Sequence, residues 1–270
     1  MNPVLELLKA LILGIIQGIT EWLPISSTGH MILFEHWFPF AFTPEFVNLF
    51  FVLIQLGSIL AVVILFFPKL FPFRESKAHR HNTLLLWVKI LIASVPAGIV
   101  GVLWDDVIDT VLYKPIVIVV TLIVFGVWFI WIERKVKDHP KNSLLKITYK
   151  DALIIGLFQM LALIPGTSRS GATILGAIWL GLSRTVAAEF SFFLAIPVMF
   201  GASFLKLMKA GFIWSTLEWS VLGLGFVTAF VVSMFVIRFL MDYVRKHDFT
   251  FFAYYRIGLA IVVLVLLIVR

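Results

Sequence analysis

Six long apolar runs, near residues 46–67, 84–104, 115–132, 186–205, 219–240 and 254–269, alternate with short polar stretches along the chain. Each is close to the ~20 residues a helix needs to cross the hydrocarbon of a bilayer. Two further apolar regions differ in kind. Residues 4–20 and 30–40 are shorter and divided by Pro24, and residues 151–164 and 172–182 are divided by Pro165. Broken backbone at membrane depth is tolerated only where protein buries it or water lines it. The pattern therefore predicts an all-α integral membrane protein of about six transmembrane helices plus two re-entrant helix hairpins.

Loop charges orient these elements. Lys69, Arg74, Lys77, Arg80 and Lys89 mark the stretch 68–89 as cytoplasmic, and Arg134, Lys135, Lys137, Lys141, Lys146 and Lys150 do the same for 133–150. The loop at 104–114 carries Asp105, Asp106 and Asp109 against one lysine and is placed outside. Arg238, Arg245 and Lys246 return the next-to-last loop to the inside, whereas Lys206 and Lys209 fall outside, against the rule. Both termini come out external. A hairpin and three spans make up each half, and an odd number of spans inverts the second half relative to the first. The expected organisation is one membrane domain over 1–270, with a first repeat at 1–132, a basic cytoplasmic loop at 133–150 and a second, inverted repeat at 151–270.

The repeat is visible in the residues. Shifting Gly14–His30 by 142 positions lays Gly14 on Gly156, Gln17 on Gln159, Ser26 on Ser168, Thr28 on Ser170 and Gly29 on Gly171. The prolines miss register by one residue. Glu45, Phe46 and Gly57 match Glu189, Phe190 and Gly201 at a shift of 144, which carries the repeat into the next span. Inverted repeats whose discontinuous helices meet at mid-membrane are a way to build a polar site in lipid.

Composition agrees. Hydrophobic residues make up 61% of the chain and charged ones 14%, with mean hydropathy +1.05; soluble domains carry about 25% charged residues. The net charge of +7 is spread over short loops between apolar runs and is no nucleic-acid footprint. With no cysteine, disulfides, thiolate metal sites and a cysteine nucleophile are excluded. The N-terminal run has Glu6 before its only early lysine, Lys9, and no small-x-small site after it, so it is read as part of the fold rather than a signal peptide.

The chemistry gathers at the two breaks. Gln17 and Glu21 share a helix face, and a carboxylate in such surroundings needs a partner or a metal. The plainer alternative has Glu21 cap a hairpin or sit at the interface beside Trp22. Ser26 or Ser27 can cap the helix after Pro24, and such a helix start favours an anion. His30 lies near its first turn, where an imidazole can exchange protons near neutral pH. In the second motif, Pro165–Gly171, Arg169 is the only positive charge between Lys150 and Arg184. Its guanidinium among Thr167, Ser168 and Ser170 suits phosphate oxygens, and an internal ion pair with Glu21 is compatible with that role. Phosphoryl chemistry and transport of a phosphorylated lipid or anion both fit these residues.

At these positions the chain resembles the undecaprenyl pyrophosphate phosphatase family, the bacitracin-resistance type of membrane phosphatase. The resemblance rests on Gln17–Glu21 as the family's (E/Q)xxxE element, PISSTGH at Pro24–His30, PGTSRSG at Pro165–Gly171, GLSR at Gly181–Arg184 and AAEFSFFLAIP at Ala187–Pro197. It implies hydrolysis of a C55 isoprenyl pyrophosphate to the monophosphate and phosphate, recycling the carrier lipid for cell-wall polymers. It also implies a bacterial plasma-membrane location, a site open to the periplasmic or extracellular face, and a divalent cation, Mg²⁺ or Ca²⁺. Carried over by motif, Glu21 is metal ligand or general base, and Arg169 holds the pyrophosphate. Ser27 and His30 compete as nucleophile, while Ser26, Thr28, Gly29, Thr167, Ser168, Ser170 and Gly171 bind substrate. Gln17, where many relatives have Glu, removes one charge from the cation site but retains a carbonyl oxygen. The partners implied are the lipid pyrophosphate and the bilayer, with no nucleic acid; a homodimer is compatible with the sequence but marked by no residue pattern.

Overall fold

Short polar side chains and prolines start the helices. Thr43 accepts a hydrogen bond from Phe46 N–H, and Pro44 follows it at the first helical position, where its missing N–H is not needed. Thr148 with Asp151, and Ser215 with Glu218, form reciprocal capping boxes. The computed structural model describes residues 2–73, 76–112, 114–137, 139–211 and 213–268. Its helices are α1 (Pro3–Thr20), α2 (Ser27–Trp37), α3 (Pro44–Leu65), the single turn α4 (Phe67–Leu70), α5 (Lys77–Leu112), α6 (Pro115–Lys135), α7 (Tyr149–Met160), α8 (Arg169–Trp179), α9 (Arg184–Ala210), α10 (Thr216–Tyr243) and α11 (Thr250–Ile268). Among the described residues seven helices are long and apolar enough to cross a membrane. They are the six expected spans (α3, α5, α6, α9, α10, α11) and α1.

Hydrogen bonds at the base of each hairpin show that its chain doubles back. After α2, the Pro39 carbonyl accepts from Lys9 Nζ and the Ala41 N–H donates to Glu6 Oε2, so the end of the first hairpin returns to the start of α1. Lys141 closes the second. Its ammonium holds both carboxylate oxygens of Asp151 in α7 at 2.7 and 2.8 Å, while its backbone bonds Gly181 and Ser183 beyond α8. Helix α9 leaves this second base, and Trp214 past its far end packs at a tilt against Phe46, near the first base. The hairpins therefore enter from opposite ends of the bundle.

The contacts carry the repeat past the point where residue identity fades. Helix α1 lies on α10 as α7 lies on α5; α3 meets α10 as α9 meets α5; α3 with α9, and α6 with α11, pair across the centre. This pattern maps onto itself when the halves are exchanged. The equivalent glycines Gly14 and Gly156 serve the same contact, since a Cβ would stand 2.7 Å from the Gly225 carbonyl oxygen and 2.4 Å from that of Ala93.

One expectation needs correction, and one alternative falls away. The stretch 104–114, read as a loop, is helical as far as Leu112. Backbone geometry departs from helical at Trp104 (φ −125°, ψ 16°), where the spanning helix Lys77–Trp104 ends, as expected, and a second helical stretch runs on across the kink. The side chains of Asp105, Asp106 and Asp109, on which the outside placement rested, lie outside the described residues, as does Arg74. Trp22 is not at an interface. It is fully buried, edge-on to Phe192 at 5.1 Å.

Candidate active site

Ser26 and Ser168 shape the two tips alike. They are the only non-glycine residues of positive φ among those described, at 73° and 70°. Each caps the following helix: Ser26 Oγ accepts from Gly29 N–H and Ser168 Oγ from Gly171 N–H, both at 3.2 Å. Such backbone costs about 1–3 kcal/mol and persists where the surroundings over-determine it. The turn leaves the amides of Ser27 and Thr28, and of Arg169 and Ser170, at helix starts without an acceptor among the described residues. Paired free amides at a helix start favour an anion.

The tips meet. Ser170 Oγ donates to the carbonyls of Glu21 (3.0 Å) and Leu23 (3.2 Å), so its hydroxyl is occupied in joining the hairpins. Arg256 of α11 sits fully buried between them, donating to Pro24 O (3.1 Å), Gly166 O (3.0 Å) and Thr167 O (2.7 Å). Thr121 of α6 donates to Pro165 O at 2.8 Å. Gly166 has φ +87°, and a Cβ there would lie 2.3 Å from Thr121 Oγ1.

Glu21 is the hub. Its Oε1 accepts from Arg169 Nε (3.3 Å) and Nη2 (3.2 Å), and its Oε2 from Gln17 Nε2 (3.1 Å) and Ser27 Oγ (3.2 Å). The expected ion pair is thus formed, and both members are largely buried. Arg169 Nη1 donates to Ser191 O at 2.7 Å, and the guanidinium lies over the Trp22 ring at 5.7 Å. Three of the five guanidinium N–H groups are engaged in these bonds, and the other two have no acceptor among the described residues. His30 faces elsewhere. The Ser26 carbonyl can only accept, so Nδ1 donates to it (2.8 Å), and neutral Nε2 accepts from the Tyr255 hydroxyl (2.7 Å). Ser27 is therefore coupled to Glu21, not to His30.

Thr28 is half-buried, and Thr167 is fully buried with no partner for its hydroxyl among the described residues. Gly171 gives room to Arg256, whose Nη1 would be 2.8 Å from a Cβ there. A charge count follows. Glu21 offsets Arg169, while Arg256 has no carboxylate partner among the described residues. The buried cluster carries one excess positive charge, which an anion compensates.

The donors at Glu21 also fit a hard divalent cation. Gln17 Oε1 is buried and unpartnered, on the amide whose Nε2 donates to the Glu21 carboxylate, and oxygen donors of this kind hold Mg²⁺ or Ca²⁺. No cluster of three or more acidic or imidazole side chains exists among the described residues, so phosphate oxygens and water would complete the shell.

Sequence reasoning missed Arg256, Tyr255 and Ser191. Arg256 had a signal: it is a charge within an apolar run, the criterion that singled out Arg169. Its place two residues into the run at 254–269 made it resemble a flank.

An intramembrane carboxylate–arginine pair among helix-start amides, set on two opposed re-entrant hairpins, defines a membrane-embedded site built for an anionic head group. Comparison with known proteins supplies the family. Residues 10–262 match the family model described as bacitracin resistance protein BacA, and the chain belongs to that family. It is 56% identical over 262 residues to undecaprenyl-diphosphatase 1 of Clostridioides difficile, covering 96% of each chain. It is likewise 56% identical over 271 residues to an undecaprenyl-diphosphatase of Acetivibrio thermocellus, covering 98% of this chain and 100% of that one. An undecaprenyl-diphosphatase of Enterococcus faecalis is 52% identical over 268 residues, 97% of each.

Proposed function

We propose that this protein hydrolyses undecaprenyl (C55 isoprenyl) pyrophosphate to undecaprenyl phosphate and inorganic phosphate. This recycles the carrier lipid of cell-wall synthesis and gives the chain its part in bacitracin resistance. The observation that carries the reading is the Glu21–Arg169–Ser27 constellation, which puts a hydroxyl, its base and an anion-binding guanidinium in one buried cluster. The protein lies in the bacterial plasma membrane, with the site open toward the periplasmic or extracellular side.

Arg169 and the amides of Ser27, Thr28 and Ser170 receive the diphosphate, sharing the arginine with Glu21. Ser27 is favoured as nucleophile over His30, because both ring nitrogens of His30 are engaged by Ser26 and Tyr255. Glu21 Oε2 takes the Ser27 proton as Oγ attacks the terminal phosphorus. The anhydride P–O bond breaks, and the prenyl phosphate leaves with the electron pair, its charge balanced by Arg169 and Arg256. Glu21 passes its proton to the leaving oxygen. It then takes one from a water that attacks the phosphoserine, and returns that proton to Ser27 Oγ as phosphate departs. A divalent cation held by Glu21 and Gln17 would neutralise phosphate charge when bound.

The test is phosphate release from C55 isoprenyl pyrophosphate by purified protein in detergent with Mg²⁺ or Ca²⁺. Wild type is run beside Arg169→Ala, Ser27→Ala and His30→Ala. Release that collapses in the first two supports the site; none from folded wild type sinks the enzyme reading in favour of a lipid transporter. If His30 acts as base in place of Glu21, the acid limb of the pH profile flattens in His30→Ala, and an unchanged profile removes it from proton transfer.

A further inference from the structure

The equivalent turns at the two tips are held by different means. In the second tip the Ser168 carbonyl accepts the backbone N–H of Ala172 at 2.9 Å, an ordinary helical bond. In the first, the matching bond from His30 N–H to the Ser26 carbonyl is stretched to 3.4 Å, past the usual range. The His30 ring supplies the closer donor, with Nδ1 2.8 Å from the same oxygen. Position 172, which aligns with His30 at the shift of 142, is a buried alanine and has no such donor.

Packing gives the reason for the extra bond. Helix α8 is buried along most of its length and is gripped by α6, α7 and α9. Helix α2 is mostly half-buried or exposed, and among the described residues it packs extensively against α1 alone. The polar contact that ties it to the rest of the bundle at this level comes from α11. Tyr255 donates its hydroxyl to His30 Nε2 at 2.7 Å, and the two rings lie stacked, 5.6 Å apart and 13° from parallel. At the second tip α6, the counterpart of α11, needs no relay, because Thr121 donates directly to Pro165 O.

We infer that Tyr255 is a positioning residue for the reaction, acting through His30 on the Ser26 turn. This rests on the proposed phosphatase reading. The relay runs from the Tyr255 hydroxyl to His30 Nε2 and from His30 Nδ1–H to Ser26 O, and it pins the positive-φ residue directly before Ser27. Ser27 Oγ stands 3.2 Å from Glu21 Oε2, the contact that activates it, and a displacement of about 1 Å can cost ~10²-fold in rate. The Tyr255 hydroxyl also sets the tautomer. By donating to Nε2 it leaves the ring proton on Nδ1, the nitrogen that faces Ser26. His30 is thus a strap and moves no proton.

Turnover of C55 isoprenyl pyrophosphate separates a strap from a proton-transfer group. In His30→Asn the carboxamide N–H can stand where Nδ1–H stands, whereas in His30→Gln it falls near Nε2 and misses Ser26. We expect kcat to fall ~10²-fold in His30→Ala and His30→Gln and to regain about tenfold in His30→Asn, with KM within about twofold throughout. Asparagine as inactive as alanine would overturn the relay. Tyr255→Phe keeps the stacked ring and should lower kcat about fivefold in wild type, as for one hydrogen bond, but no further in His30→Asn, which has no Nε2. Equal falls in both backgrounds would show that Tyr255 does not act through His30. Hydrogen exchange needs no activity. Deuterium uptake over 26–31 should rise in Tyr255→Phe while uptake over 168–173 stays at the wild-type rate; no change at either tip, or an equal rise at both, refutes the relay. A folded wild type that releases no phosphate removes the phosphatase reading, and the exchange result then decides the relay by itself.

Discussion

The two hairpin tips share a backbone and divide the chemistry. Ser26 and Ser168 hold the same positive φ and cap the same way, and Gly29 and Gly171 donate the capping N–H in each. The side chains differ. The first tip carries Glu21, Ser27 and His30; the second carries Arg169 and Thr167. Each tip offers a helix start to an anion, yet neither holds both the carboxylate and the guanidinium. The lesson is that the same helix-start turn occurs twice, and the Glu21–Arg169–Ser27 cluster exists only where the two tips touch.

Removing what joins the tips tests this most severely. Arg256→Leu strands the carbonyls of Pro24, Gly166 and Thr167, at about 1–3 kcal/mol each. A large drop in the thermal midpoint in detergent is expected, and a wild-type melt would show that the tips hold without it. Next comes Arg169→Lys, which keeps the charge but loses the fork that serves Glu21 and Ser191 together. Turnover should fall by about 10²–10³-fold, as for the loss of a transition-state donor, with little change in the melt. Near-normal turnover would reduce Arg169 to an ion-pair partner.

Smaller effects probe the equivalence itself. Ser26→Ala and Ser168→Ala each remove a cap worth about 1 kcal/mol, so chemical-denaturation midpoints should shift by similar amounts. Clearly unequal shifts would show that the two turns are alike in shape but not in energy. The smallest effect concerns pH at the second base. Burial pushes the Asp151 carboxyl up, but hydrogen bonds from Lys141 and Thr148 outweigh it and hold the group below the ordinary carboxylate range. A depressed carboxylate stabilises the fold above its unfolded pKa and loses that contribution as pH falls through the folded value. The melting difference between wild type and Lys141→Met should therefore be steady at neutral pH and shrink below about pH 4. A difference that persists in acid would assign the effect of Lys141 to the packing of its side chain and not to the ion pair, because methionine keeps the backbone bonds with Gly181 and Ser183.

The chain itself determined the spans, the two broken hairpins, the Ser26–Ser168 correspondence and the Glu21–Arg169 pair. These follow from local quantities: run length, proline, hydroxyl caps, and the cost of a charge in apolar surroundings, which leaves two opposite charges few partners but each other. The structure decided what depends on which faces meet. Arg256 became the clamp between the tips because α11 crosses behind both breaks, and Trp22 became core because Phe192 and Arg169 cover it. The helix past Trp104 could not be inferred from polar residues that also suit a loop. The contact of Tyr255 with His30 was equally hidden: nothing in the sequence sets α11 beside α2, and only helix packing brings the hydroxyl to the ring.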